Sequence, residues 1–240
     1  MTVKYLLTNG NRELAKDGVF TWTLPALNAR LTNGKNHVTC PNAGICAKLC
    51  YARSGTFNFS NVKRAHLSKL EMLLNDLPGW EEQMTTELKA KRYRGGKWVR
   101  IHDSGDFFSP EYFAAWVRIA QATPDVRFYA YTKEVKMVKE WGTLPENFII
   151  IFSMGGKQDR LIDVEVDRHA DVFPTLEALV EAGYTDQEDS DILAATLPTP
   201  KIGIVVNNIP HLKKKQGTAT FASLQRERDE MVKGIQDGRP

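Results

Sequence analysis

The sequence predicts an α/β fold: a partial or open (β/α) TIM-like barrel with a cysteine loop at the carboxyl-terminal rim of its strands. From residue 97 onward, short β-branched and aromatic runs alternate with amphipathic helical runs, the pattern of parallel β/α units. Five or six such strands can be counted, too few for a closed eight-unit barrel. The 240 residues, 42% hydrophobic, suffice for one sizeable core, and no repeat or low-complexity linker divides them. A single domain over 1–240 is therefore expected. Its parts are N-terminal strands (1–39), the cysteine loop (40–60), β/α units (61–210) and a C-terminal basic segment with a helix (211–240).

Residues 1–39 carry short apolar pieces, Tyr5-Leu6-Leu7 and 19–24, separated by Asn-Gly pairs at 9–10 and 33–34 that mark tight turns. After the cysteine loop, Val62, His66, Leu70, Leu73, Leu74 and Leu77 recur at helical spacing, with Pro78-Gly79 as the stop. His66 on that apolar stripe reads as a core histidine. A second helix presents Trp80, Met84 and Leu88 and ends in the basic segment 89–94. Residues 98–102 then read as a strand, and Ser109-Pro110 as a helix start with an N-cap serine and an N1 proline. Strands at 126–131, 148–152 and 202–206 alternate with helices at 133–141 and 175–182 across a less regular acidic stretch, of which 186–191 reads as a loop, a short helix or a partner surface, with a surface loop the default. A charged helix near 221–235 and a frayed Asp-Gly-Arg-Pro tail close the chain.

A formal charge of +3 does not announce a nucleic-acid binder. No apolar run approaches a membrane span, and the N-terminus lacks the basic-then-apolar pattern of a signal peptide. An odd cysteine count without an export signal points to a reducing compartment, so a soluble cytoplasmic protein without a membrane partner is expected.

All three cysteines, Cys40, Cys46 and Cys50, fall within eleven residues, with five and then three residues between them, followed by Tyr51. Such a loop can offer three thiolates to one [4Fe–4S] cluster and leave the fourth iron to another ligand. The other reading is a structural zinc: His37 precedes Cys40 by three residues, completing a Cys3His set.

Ligand sites in α/β sheets and barrels lie at the carboxyl ends of the strands. Here those ends read His102-Asp103-Ser104-Gly105-Asp106, Tyr131-Thr132-Lys133, Ser153-Met154-Gly155-Gly156 and Asn207-Asn208. His102, Asp103, Ser104, Gly105, Asp106, Lys133 and Asn207, with Tyr51, are the candidate cofactor-binding residues. Gly105 would let the backbone approach a ligand closely, and His102 or Asp103 could reach the fourth iron. No arrangement identifies a general acid or base.

Residues 40–52, 100–112 and 128–133 together resemble the phage gene product 88 family of uncharacterised proteins, with its Cys-Pro…Cys…Cys-Tyr-Ala loop and its His-x-Ser-Gly-Asp-Phe-x-Ser-x-Glu-Tyr stretch. That resemblance implies a phage protein acting in the host cytoplasm. Members often carry further cysteines near the C-terminus, and 217–221 here has none. More distantly, the chain resembles radical S-adenosylmethionine enzymes. That likeness implies a [4Fe–4S] cluster on Cys40, Cys46 and Cys50 and S-adenosylmethionine at the open iron. Tyr51 would be the aromatic beside the ligands, and Ser104-Gly105-Asp106 the glycine-rich motif that holds the amino group. In those enzymes three and then two residues stand between the cysteines, and a glutamate stands at the place of Asp106. On this resemblance the chain is an enzyme; without turnover it is a cluster-dependent regulator. Lys213-Lys214-Lys215 with Arg226 and Arg228 suggests a nucleic-acid surface as an added property.

Overall fold

The computed structural model describes residues 5–207 and 209–236; the start of the chain, Asn208 of the last predicted strand end, and the predicted tail at 237–240 lie outside the described residues. The N-terminal part supplies β1 (Thr8–Asn9), α1 (Arg12–Lys16) and β2 (Phe20–Trp22), then β3 (Asn28–Arg30) and β4 (Asn36–Val38). β3 and β4 form an antiparallel hairpin around the predicted Asn33-Gly34 turn, with Gly34 at φ 84°. At Asn9-Gly10 the prediction of a tight hairpin turn does not hold. Asn11 caps α1 there, its side chain accepting from the backbone N–H groups of Glu13 and Leu14, and α1 separates the paired strands β1 and β2.

The cysteine loop contains the single-turn helix α2 (Cys46–Leu49), and two longer helices follow, α3 (Ser60–Asn75) and α4 (Leu77–Leu88). Pro78-Gly79 opens α4 where the sequence suggested the end of α3. Asp76 caps α4 by accepting from the Gly79 N–H, and proline fits the first turn because its missing donor would be unused there. The β/α units then run β5 (Trp98–Ile101), α5 (Pro110–Ala122), β6 (Arg127–Thr132), α6 (Val135–Trp141), β7 (Phe148–Ser153), β8 (His169–Phe173), α7 (Leu176–Glu181), β9 (Thr185–Asp186), α8 (Leu193–Thr196) and β10 (Lys201–Val205). α9 (Pro210–Gln216) and α10 (Phe221–Gln236) complete the order. Ser109 caps α5 as predicted, accepting from the Tyr112 N–H.

The eight-stranded sheet has the order β1-β2-β5-β6-β7-β8-β10-β9. Every neighbouring pair is parallel except β1 with β2. Six parallel strands, β2, β5, β6, β7, β8 and β10, therefore stand in chain order, with their carboxyl ends along one rim. The sheet ends at β1 and β9, and among the described residues no sheet closes into a barrel. The sequence count of five or six strands falls short because β1 and β9 are two-residue edges and because β8 was hidden in the irregular stretch. β8 carries buried His169 and Asp171, which break its apolar pattern. Both have partners: His169 Nε2 pairs with the Tyr184 hydroxyl at 2.8 Å, and Asp171 Oδ1 accepts from the Val172 and Ala222 N–H groups.

Strand alternation sends side chains to two different cores. On one face Val99, Ile101, Phe128, Ala130, Phe148 and Phe152 pack with Leu70, Leu73, Trp80, Met84, Phe113 and Trp116 from α3, α4 and α5. Each fully buried Phe or Leu there contributes roughly 1.5–3 kcal/mol relative to exposure. On the other face Trp98, Tyr129, Ile151, Ala170 and Ile202 meet Leu14 of α1 and Ala194 and Ala195 of α8. No helix among the described residues is long and apolar enough to cross a membrane.

Candidate functional site

Thr39, fully buried, anchors the cysteine loop to the rim. Its hydroxyl donates to the Pro25 carbonyl at 2.6 Å, and its own carbonyl accepts from the Asp106 N–H at 2.9 Å. From there the loop is held at successive backbone groups. The Gly44 and Cys46 N–H groups both donate to the Gly155 carbonyl at 3.1 Å, and the Lys157 N–H donates to the Asn42 carbonyl at 2.9 Å. Glu134, buried at the end of β6, accepts from the Asn42 backbone at 3.3 Å and from its side-chain amide at 2.6 Å. Gln225 of α10 accepts from the Ile45 N–H at 2.6 Å. A buried loop must satisfy its polar backbone in this way, so these contacts fix where the thiols point. Gly44 cannot carry a side chain here, since a Cβ would stand 2.0 Å from Gln225 Oε1 and 2.8 Å from the Gly155 oxygen.

All three thiols are free and line one cavity of about 1100 Å³ at the carboxyl ends of the strands. The other predicted residues, Tyr51, His102, Asp103, Ser104, Gly105, Asp106, Lys133 and Asn207, line the same cavity. Burial pushes the Cys40 thiol well up, and the charges of Asp106, Cys46 and Cys50 add to that rise. Burial and Cys46 push the Cys50 thiol up to about 11, against the opposing pull of Lys133. The three sulfurs thus sense one another across the cavity. Among the described residues, however, no three His, Cys, Asp or Glu side chains stand close enough to hold a single metal ion. His37, the fourth member of the predicted zinc set, is not on the cavity wall. Its ring packs edge-on against Phe108 at 4.6 Å, and its buried Nε2 has no partner. The Cys3His set is not assembled.

The segment after β5 divides into bracing and lining residues. Ser104 continues the β2–β5 pairing, its hydroxyl donating to the Leu24 carbonyl at 2.6 Å. Gly105 stands at φ 88°, where a Cβ would meet Leu24 Cβ at 2.8 Å. Asp106 accepts from the Phe107 N–H at 2.8 Å, the Thr132 hydroxyl at 2.6 Å and the Lys133 N–H at 3.0 Å. Burial pushes its carboxyl up while those three donors and the Lys133 charge pull it back. Most of its acceptor capacity is thus spent inside the protein. His102 has its backbone at φ 69°, and its ring turns inward, Nε2 pairing with the Tyr112 hydroxyl at 2.8 Å. Trp22 Nε1 donates to that same hydroxyl at 2.8 Å. Burial pulls His102 down to about 3, and its Nδ1 is buried without a hydrogen-bond partner. Lys133 donates to Ser153 Oγ at 2.7 Å and to the carbonyls of Ser153 and Met154. Tyr51 donates to the Asp103 carbonyl, and Asn207 is exposed at the mouth.

Sequence reasoning missed the inner end of the cavity. Residues 186–191 are not merely a surface loop, because Asp191 accepts from Arg100 at 3.0 Å and from the hydroxyls of Tyr129 at 2.5 Å and Tyr131 at 3.3 Å. Gln187 accepts from Tyr131 at 2.8 Å. Burial opposes the Arg100 charge, yet Asp191, Tyr51 and Asp103 hold it firmly protonated. His66 also lines the cavity instead of sitting in the core; burial, with Lys69, lowers it to about 4. The alternation in Phe128-Tyr129-Ala130-Tyr131 was the one available signal that both tyrosines share a face. Nothing local marked Asp191.

The family model described as gene product 88 matches residues 5–231. The chain belongs to the gene product 88 family. Among its relatives, the gene 88 protein of Mycobacterium phage L5 is 39% identical over 102 residues, which are 40% of this chain and 43% of that protein. The gene 88 protein of Mycobacterium phage D29 is 36% identical over 102 residues, 40% of this chain and 42% of that one. The matched stretch thus spans less than half the length of these gene product 88 relatives. No solved structure matches the chain.

Proposed function

We propose that this gene product 88 protein is an iron–sulfur protein that binds one [4Fe–4S] cluster through Cys40, Cys46 and Cys50. The observation that carries the reading is that every thiol in the chain lines the same cavity. A cube takes each thiolate at a different iron, so its ligands stand further apart than those of a mononuclear zinc. Three thiols on one cavity wall match the three-thiolate donor set of such a cluster. Bound there, the cluster would supply one-electron chemistry and one iron without a protein thiolate.

The chain's own residues would do the rest. Lys133, held by Ser153 and Met154, places an ammonium that favours the thiolate of Cys50. Asp106 and Glu134 tie the cysteine loop to the ends of β5 and β6, and the floor at Tyr131 keeps a space beyond the thiols. Six parallel strands in chain order support reading the open sheet as a partial barrel. The cysteine loop follows the first of them and the Ser104-Gly105-Asp106 turn follows the second, as the radical S-adenosylmethionine resemblance implies. On that reading S-adenosylmethionine, or another small ligand with amino and carboxyl groups, occupies the space between the thiols and Asp103. Iron, zinc and sulfide analysis of protein purified without oxygen tests the proposal; stoichiometric zinc without sulfide would reject it.

A further inference from the structure

The two signs of charge are segregated along this chain. Residues 18–70 and 192–226 hold twelve lysines and arginines and not one aspartate or glutamate. The remaining residues hold twenty against twenty-nine, so the formal charge of +3 conceals a basic part and an acidic part. The fold brings the two acid-free stretches together. α2 packs against α9, and the Ser54 hydroxyl lies 3.4 Å from His211 Nε2. Lys48, Arg53 and Lys215 share one groove of about 640 Å³. Lys213 and Lys214 precede Lys215 on α9, and Lys63 and Arg64 stand near the start of α3. All seven of these cations are exposed, and among the described residues none joins an ion pair.

The same stretches border the opening of the large cavity. Gly55, Thr56, Pro210 and His211 are exposed residues of its wall, and all four belong to the acid-free stretches. The cavity's carboxylates, Asp103, Asp106 and Asp191, are buried or half-buried and accept hydrogen bonds from within the protein. Phe59 is 58% exposed, one helical turn before Lys63, and its N–H donates to the Thr56 carbonyl at 3.1 Å. A large aromatic ring therefore stands in water among unpaired cations.

We propose that this face binds single-stranded nucleic acid, with phosphates on the cations of α3, α9 and the 48–53 segment and a base on Phe59. The inference is independent of the cluster reading and needs no metal at the cysteine loop. Cations without carboxylate partners keep their field for a polyanion, and binding gains from the release of its counterions. An exposed ring offers stacking to an unpaired base, which a duplex keeps inside its own stack. An anionic bilayer is the poorer fit. The cations rim concave surface, and within 48–64 and 211–215 only Phe59 is an exposed large apolar side chain.

The test follows the fluorescence anisotropy of labelled dT and rU single strands, and of a duplex of equal length, titrated with full-length protein over a range of salt. K48E/R53E and K213E/K215E each reverse two cations of the face. K89E/K91E makes the same change of net charge on exposed residues outside both stretches. The proposal expects each variant of the face to weaken single-strand binding ~10-fold and to flatten the log–log salt slope by about 0.7 per lost phosphate contact. K89E/K91E should bind like wild type. Phe59→Ala should weaken binding ~10-fold with the salt slope unchanged, because stacking releases no counterion. Comparing dT with rU tells a DNA strand from an RNA strand. Thermal unfolding checks that each variant folds, and the two separate charge pairs test the face independently. Wild type that binds no strand overturns the proposal, as do equal losses in all three charge variants, which would reduce the effect to net charge. A duplex bound as tightly as the single strands, with Phe59→Ala unaffected, overturns the single-strand assignment. Anionic phospholipid vesicles bound by wild type and released by the variants of the face, with no strand bound, assign the patch to a membrane and overturn the proposal. Strand binding by protein without iron leaves this inference standing while the cluster reading fails.

Discussion

The Asp106 carboxylate accepts the Lys133 backbone N–H at 3.0 Å, so the rim segments after β5 and β6 act as one unit. The same carboxylate takes the Thr132 hydroxyl, and the Asp106 N–H reaches back to Thr39 at the root of the cysteine loop. Three segments far apart in sequence thus meet at one residue that is 4% exposed, two of them through its carboxylate and Thr39 through its backbone N–H.

Asp106→Asn should destabilise the protein by about 1–3 kcal/mol, because an amide NH₂ replaces one acceptor oxygen and leaves a buried donor unpaired. Denaturant unfolding measures the loss. Cofactor content should fall with it, since the carboxylate also fixes the segment whose backbone N–H holds Thr39 at the root of the cysteine loop.

Gly105→Ala should cost about 1–3 kcal/mol, because the alanine would occupy a left-handed conformation and press on Leu24. Thermal unfolding checks it. Gly55, also at positive φ but with nothing within 4 Å of a Cβ, should lose less on the same change and serves as the comparison.

Gln225→Ala should release the Ile45 N–H and detach α10 from the cysteine loop. An unpaired buried donor predicts a loss of about 1–3 kcal/mol. Limited proteolysis should then cut the C-terminal helix earlier than in wild type; an unchanged cleavage pattern would argue that α10 does not brace the loop.

His102 sets an acid limit. Its folded value of about 3 lies below the ordinary 6.5, so the folded state refuses a proton that the unfolded chain accepts. Stability from this residue is complete above pH 6.5 and is lost as pH falls from there toward 3. Between pH 6.5 and 5 the loss should be roughly 2 kcal/mol. Burial also lowers His37, His66 and His169, which add to the same slope. Urea titrations at several pH values should therefore show a shallower acid limb for His102→Gln than for wild type. Identical limbs would refute the assignment.

The sequence made the rim legible because its chemistry is local. Cys40, Cys46, Cys50 and the 102–106 segment each lie within a short run, and strand direction alone brought them to one end. The inner wall was not legible, since Asp191 meets Arg100 across 91 residues and Gln225 meets Ile45 across 180. Composition cannot reveal such pairings. β8 was lost for a related reason: His169 and Asp171 look like loop residues until Tyr184 and the start of α10 supply their partners. His102 was legible as a strand-end residue on the cavity wall, but its positive φ and the pairing of its Nε2 with Tyr112 were not.

The most direct test of the central claim is an anaerobic absorbance spectrum with iron and sulfide counts, on wild type and on Cys46→Ala. The account predicts a brown wild-type protein with about four irons and four sulfides per chain, and their loss in the variant. A colourless wild-type protein, or one holding a single zinc and no sulfide, would contradict it.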